Sequence, residues 1–286
     1  VDDRELLSVI CPVLGEDACA DDCAILEPIP GVPVVSTDML HETTDFPQGM
    51  TDWQIGWMAM AVTISDLASM GAVPRYLTLA IGLDQEKRLS EIIRGAHTCC
   101  QTYGATYIGG DLDSHTELTL VSTGIGEIKD GNPVRRTGAR SGDLIGVTGI
   151  QGRAMAGLSG DLRYWKDLCE PQPRVKEGIA LRVAGASSMM DISDGLAISV
   201  HDLMKASATG CEINGSLIPT IQGCPDEKRM SFALFGGGDF ELIYTISPDN
   251  TDKMPESSTI IGRVTEKKEI LLDGSHLPAK GYSHQW

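Results

Sequence analysis

The sequence predicts an α/β (α+β) protein of two domains, and three observations lead there. Apolar β-branched runs alternate along the chain with amphipathic or wholly apolar runs of helical length. The length of 286 residues, 42% of them hydrophobic, suits two ordinary domains, each with its own core. Near the middle, KDGNPVRRTGARSGD (129–143) is rich in Gly, Pro and Arg and interrupts the alternation. We set the boundary there, with domains 1–138 and 139–286.

The elements follow in order. VPVVSTDML (32–40) reads as a strand that delivers Ser36, Thr37 and Asp38 at its C-terminal end. DWQIGWMAMAVTISDLASMG (52–71) is apolar or small nearly all round, a buried helix with Asp52 as N-cap and Gly71 as its stop. RYLTLAIGL (75–83) is a strand, and LSEIIRGAHTCCQTYG (89–104) an amphipathic helix ended by Gly104. ATYIGGDLDS (105–114) reads as a short strand breaking into a glycine turn, and LTLVSTGIGEI (118–128) as a further strand. In the second half, DLIGVTG (143–149) and ASSMMDIS (186–193) are strands, and DGLAISVHDLMKASATG (194–210) is a helix. FALFGGGDFELIYTIS (232–247) combines a glycine turn with a strand. ISDLA (64–68) and ISDGLA (192–197) echo each other, but one lies within a helix and the other opens one, so they are not a repeat.

Composition narrows the function. A formal net charge of −17 repels nucleic acid and anionic membrane surfaces and makes a cation the natural partner. No apolar run approaches a membrane span, and VDDRELLSVI lacks the basic-then-apolar order of a secretory leader, so the expected location is cytoplasmic. The eight cysteines contain no C-x-x-C pair and read as reduced thiols. The six histidines form no metal motif, and none is assigned a role.

The carboxylates carry the chemistry. Asp22, Asp38, Asp66, Asp111 and Asp191 each stand where a strand or helix enters the core. Taken singly, such residues are caps or turns. Asp66 is the exception, because an ionised carboxylate on a helix without a polar face costs several kcal/mol unless it is paired or bound to metal. No lysine or arginine lies near it on that helix. Five short acidic arms suit Mg²⁺, a hard ion that takes oxygen ligands and shares them with substrate phosphates. Neither G-x-x-x-x-G-K-[ST] nor G-x-G-x-x-G occurs. A nucleotide would therefore be held by metals, by short glycine turns such as Gly109–Gly110, and by arginines among Arg135, Arg136 and Arg140, which read equally well as a solvated loop.

With those residues assembled, the chain resembles the thiamine-monophosphate kinases, within the superfamily of aminoimidazole ribonucleotide synthetase. The match rests on ADDCAIL, VVSTDML, IGWMAMAVTISDLASMGAVPRYLTLAIGL, YIGGD, VRRTGARSGDLIGVTG and MMDISDGLA, and more weakly on GGGDFEL, in family order over nearly the whole chain. The resemblance implies a two-domain aminoimidazole ribonucleotide synthetase-like fold: an N-terminal ATP- and metal-binding domain whose sheet forms a barrel-like dimer interface, then a C-terminal α/β domain. It implies a homodimeric kinase of thiamine biosynthesis that phosphorylates thiamine monophosphate to thiamine diphosphate, with ATP as co-substrate and several Mg²⁺ ions. By position, Asp22, Ser36, Thr37, Asp38, Asp66, Asp111, Asp191 and Asp194 would bind metal, with Asp38, Asp111 and Asp194 catalytic and Asp21 supporting. Tyr103, Gly110, Asp111, Arg136 and Ser193 would contact ATP.

The departures fall on the substrate side. TTDF puts Asp45 where the family has a histidine, and GGGD puts Gly238 where it has a glutamate, while Trp286 supplies the terminal aromatic that packs on substrate. Ala20 replaces the glycine ahead of the paired aspartates. Two other readings fit the same residues: an enzyme of the superfamily with a different acceptor, or a non-catalytic ATP-binding regulatory protein.

Overall fold

The computed structural model describes residues 3–15 and 23–283. The chain forms two compact units, one running to Leu67 and from Ala72 to Gly131, the other taking Ala68–Gly71 and Asn132 onward.

The first unit contains α1 (Asp3–Leu14), β1 (Val32–His41), α2 (Glu42–Asp45), α3 (Asp52–Ser69), β2 (Val73–Leu83), α4 (Leu89–Thr102), β3 (Thr106–Ser114) and β4 (Thr119–Ile128). Its sheet has the order β1-β4-β2-β3. The β1–β4 and β4–β2 pairs are antiparallel, and β2–β3 is parallel because α4 carries the chain back between them. From Ile55 to Ser69 every residue of α3 is buried except Asp66. The helix starts differently from the sequence expectation. Thr51 and Gln54 form the reciprocal capping pair, the Gln54 N–H donating to Thr51 Oγ1 at 3.2 Å and the Thr51 N–H to Gln54 Oε1 at 3.1 Å. Asp52 is left to pair with Arg88. The end is as expected: the Ala72 N–H reaches Leu67 O and the Gly71 N–H reaches Ala68 O, with Gly71 at φ +71°.

Strand β1 alternates as a half-buried strand must. Val34, Ser36, Asp38 and Leu40 are half-buried, whereas Val35, Thr37 and Met39 on the other face are exposed. Strand β3 does not break at its glycines. It runs on to Ser114 through a register shift against β2 between Leu77 and Leu79. There Gly109 takes φ +127°, and a Cβ on Gly110 would stand 1.8 Å from Leu79 O, so no side chain fits.

The second unit contains β5 (Leu144–Thr148), α5 (Arg153–Leu158), α6 (Trp165–Cys169), α7 (Val175–Ala184), β6 (Ala186–Ile192), α8 (Leu196–Ser207), β7 (Gly210–Ile213), α9 (Asp226–Phe235), β8 (Glu241–Ile246), β9 (Ser258–Thr265), β10 (Ile270–Leu272) and β11 (Ser275–His276). The sheet order is β11-β10-β7-β9-β5-β8-β6. Every residue of β8 is buried, because each side of that strand meets a separate apolar cluster. Ile243 packs with Val147, Ile192, Val200 and Leu203, and Leu242, Tyr244 and Ile246 pack with Leu181 and Met189. Helices α1, α2, α5, α6, α7 and α9 and strands β7, β9, β10 and β11 have no counterpart among the expected elements. The segment 232–247, expected to combine a glycine turn with a strand, does so after a helical start: FALF ends α9 at Phe235, and the chain turns through Gly236–Gly238 before β8 begins. Among the described residues no helix is long and apolar enough to cross a membrane.

Candidate metal and nucleotide site

Two of the sequence-predicted carboxylates meet. Asp38, on the helix-facing side of β1, and Asp66, the single half-buried position in the middle of α3, lie close enough for the Asp66 carboxylate to raise the charging cost of Asp38. Burial first, and Asp66 second, push Asp38 up from 3.8 to about 6, against the lowering effect of a hydrogen bond from Thr63. Hydroxyls surround the pair. Thr63 Oγ1 donates to Asp38 Oδ2 at 2.7 Å, and Ser36 Oγ donates to Asp66 Oδ2. Among the described residues no lysine or arginine forms an ion pair with Asp38, and no three His, Cys, Asp or Glu side chains converge at metal distance. An all-oxygen donor set around two neighbouring carboxylates suits Mg²⁺, which keeps several waters and completes its shell with phosphate oxygens.

Other predicted residues stand apart from this pair. Thr37 points to the opposite face of the sheet, where its hydroxyl meets that of Thr123 at 2.9 Å. Asp111 is exposed on β3, the far edge strand, and belongs to the row Met39–Val121–Ala80–Asp111 across the open face. Three strand spacings, about 14 Å, separate β3 from β1. Tyr103, at the end of α4, is backed by Trp57 at 6.3 Å between ring centroids, and Trp57 stacks on Trp53 at 5.6 Å. Asp22 and Trp286, with Ala20 and Asp21, lie outside the described residues.

The TTDF loop is tied down on three sides. Asp45 Oδ2 accepts from the His41 N–H at 2.8 Å and from Thr44 Oγ1 at 2.7 Å. Glu117 Oε1 accepts from both the N–H and the hydroxyl of Thr43. Arg88, 8% exposed, joins Glu42 of the same loop to Asp52 and Asp84.

In the second unit, Asp191 is buried at the end of β6, Ser193 is half-buried, and Asp194 is exposed just ahead of α8. Their backbone is held from two directions: the Gly238 N–H donates to Ser193 O at 2.7 Å, and the Tyr282 N–H to Asp194 O at 2.9 Å. Gly237 lies against the same loop, where a Cβ would come within 2.7 Å of Ser193 O. Asp239, which follows Gly238, anchors the glycine loop by accepting from the N–H groups of Gly152 and Ala154, the latter at 2.8 Å. Burial pushes Asp239 up to about 6 against those two bonds. Glu241, fully buried, accepts from Thr148 Oγ1 at 2.7 Å, from Arg153 Nη2 and Arg174 Nε at 2.6 Å, and from Arg174 Nη2. Arg136 is exposed, and its carbonyl accepts from Ser207 Oγ at 3.2 Å.

Sequence reasoning missed Thr63, Ser122, Trp57, Asp239 and Glu241. Only the last two carried a signal, the acidic residues of GGGDFEL that follow the glycine turn.

The family profile of the AIR synthase related protein, N-terminal domain, matches residues 20–128, which sets the class of the first unit. Over its full length the chain is 59% identical to the thiamine-monophosphate kinase of Methanospirillum hungatei JF-1, covering 100% of each chain. It is 35% identical to that of Halobacterium salinarum, covering 99% of this chain and 100% of the relative. The chain belongs to the thiamine-monophosphate kinase family. A crystal structure of thiamine-monophosphate kinase from Stenotrophomonas maltophilia K279a is similar at TM-score 0.83 and 28% identity, over 96% of both chains. A second solved structure, AaThiL complexed with AMPPCP and TMP, is similar at TM-score 0.83 and 25% identity, over 99% of this chain and 97% of its own.

Proposed function

We infer that this protein transfers the γ-phosphoryl group of ATP to thiamine monophosphate, giving thiamine diphosphate and ADP. It is a phosphotransferase with a phosphate group as acceptor. The observation that carries this is the 59% identity, without truncation of either chain, to a thiamine-monophosphate kinase. A phosphate oxygen of the acceptor attacks the γ-phosphorus, the bond to the β–γ bridging oxygen breaks, and its electron pair leaves with ADP. The attacking oxygen is already anionic at neutral pH, so the barrier is chiefly repulsion and alignment rather than proton removal. That fits a site without an assigned histidine base.

The residue roles are our reading. Ser36, Asp38 and Asp66 would hold one Mg²⁺, which when bound supplies positive charge against the phosphates, and Asp22, Thr37, Asp111, Asp191 and Asp194 would serve further ions. Asp38, Asp111 and Asp194 would act at the reacting phosphates. Tyr103, Gly110, Asp111, Arg136 and Ser193 would contact ATP, and the Trp57–Trp53 stack supports Tyr103 as an adenine platform. Asp45, Gly238 and Trp286 would face the acceptor. A homodimer is supported by the open sheet face, where Val35 is 70% and Met39 56% exposed.

The test is direct. Incubation with ATP, Mg²⁺ and thiamine monophosphate should produce thiamine diphosphate, followed by chromatography or by its ³¹P resonances. ATP binding without that product would overturn the assignment, and light scattering at one chain mass would overturn the dimer.

A further inference from the structure

Thr63 and Ser122 are buried polar residues with no role assigned above, at 0% and 1% exposure. Each has a hydroxyl in an otherwise apolar layer between α3 and the sheet, where an unsatisfied hydroxyl would be costly. Their contacts form one line. Ser122 Oγ lies 2.6 Å from Ala59 O and 2.6 Å from Thr63 Oγ1, and Thr63 Oγ1 lies 2.7 Å from Asp38 Oδ2.

The direction of that line follows from helix chemistry. Ala59 is four residues before Thr63, and its carbonyl is the acceptor onto which a helical threonine hydroxyl ordinarily folds back. Ser122, the cross-strand partner of Asp38 on β4, already donates to that carbonyl. With the fold-back position taken, the Thr63 proton goes to Asp38 Oδ2. The carboxylate is then held at one oxygen by a donor whose own rotamer is set by packing, and the other oxygen is left for an incoming ligand.

We propose that Thr63, directed by Ser122, is a positioning residue that orients Asp38 for a divalent cation. The inference rests on the reading of Asp38 as a magnesium ligand given above. It assigns to this chain a single hydroxyl, whose direction Ser122 sets by occupying the Ala59 carbonyl, in the place that carboxylate or carbonyl partners of metal ligands take in other sites.

The experiment is a titration of Mn²⁺, followed by EPR, into the metal-stripped full-length protein. Thr63→Val should weaken Mn²⁺ binding about 10-fold or more, the range for loss of a residue that orients a metal ligand. Thr63→Ser, which keeps the hydroxyl, should restore it to within about twofold of the parent, on the same ground. Ser122→Ala frees the Ala59 carbonyl and should weaken binding about threefold, less than loss of the hydroxyl itself. That variant carries the test should Thr63→Val not fold. Parental affinity in Thr63→Val, with only a lowered melting temperature, would mean a structural role and overturn the proposal, as would an unchanged Ser122→Ala. Absence of Mn²⁺ binding by the parent protein would instead overturn the magnesium reading beneath it.

Discussion

Glu241 and Asp38 are both acids inside the fold, and the chain treats them in opposite ways. Glu241, in the second unit, is met by two guanidinium groups and a hydroxyl, so its charge is balanced by residues of the same chain. Asp38, in the first unit, is met by the Thr63 hydroxyl and by a second carboxylate, which with burial push its pKa up to about 6 against that hydrogen bond. A buried ion with a built-in counter-ion serves the fold. On the proposed reading of Asp38 as a magnesium ligand, an acid given a donor but no counter-ion among the described residues is held for a cation from outside, and the protein bears the cost until that cation arrives. The contrast separates a structural acid from a functional one by its partners, since burial alone does not distinguish them.

The largest expected effect tests the structural side. Glu241→Ala removes the buried acid that Arg153 and Arg174 share and should cost about 3–5 kcal/mol in urea unfolding. Parental stability would remove Glu241 from the comparison. Asp38→Asn should do the reverse in metal-free protein. The folded pKa of about 6 lies above the ordinary 3.8, so the folded state holds the Asp38 proton more tightly, and stability is lost as pH rises between those values. The asparagine variant should therefore be more stable by up to about 3 kcal/mol above pH 6. That advantage should fade as pH falls from 6 and vanish below 3.8, while phosphoryl transfer drops by on the order of 10²–10³. A variant that unfolds more easily at pH 8 would break the contrast.

Arg174→Lys keeps the charge but loses the two-pronged contact with Glu241, and should cost about 1.5 kcal/mol by the same unfolding measurement. It sharpens the comparison by separating charge balance from geometry. The smallest effect is the control. Arg94 and Glu91 pair at 2.9 Å on the outside of α4 with both side chains exposed. Arg94→Ala should change stability by no more than about 0.5 kcal/mol. A larger loss would show that exposed ion pairs matter here as much as buried ones.

What the sequence by itself determined was local. The Gly71 stop of α3 depends on neighbours within five residues, and so does the alternation of β1 that sends Ser36 and Asp38 to one face and Thr37 to the other. The isolation of Asp66 on an apolar helix was legible for the same reason. Tertiary structure alone decided the partners. Thr63 meets Ser122 across 59 residues of chain, and Arg174 meets Glu241 across 67. No local rule connects such positions; only the register of β4 against β1 and the packing of the helices on the sheets bring them within hydrogen-bond reach. The same holds for Asp111, which the motif order groups with Asp38 and the strand order sends to the opposite edge of the sheet. Caps and periodicity are written in consecutive residues, whereas the balance of a buried charge depends on which distant segments the folded chain brings beside it.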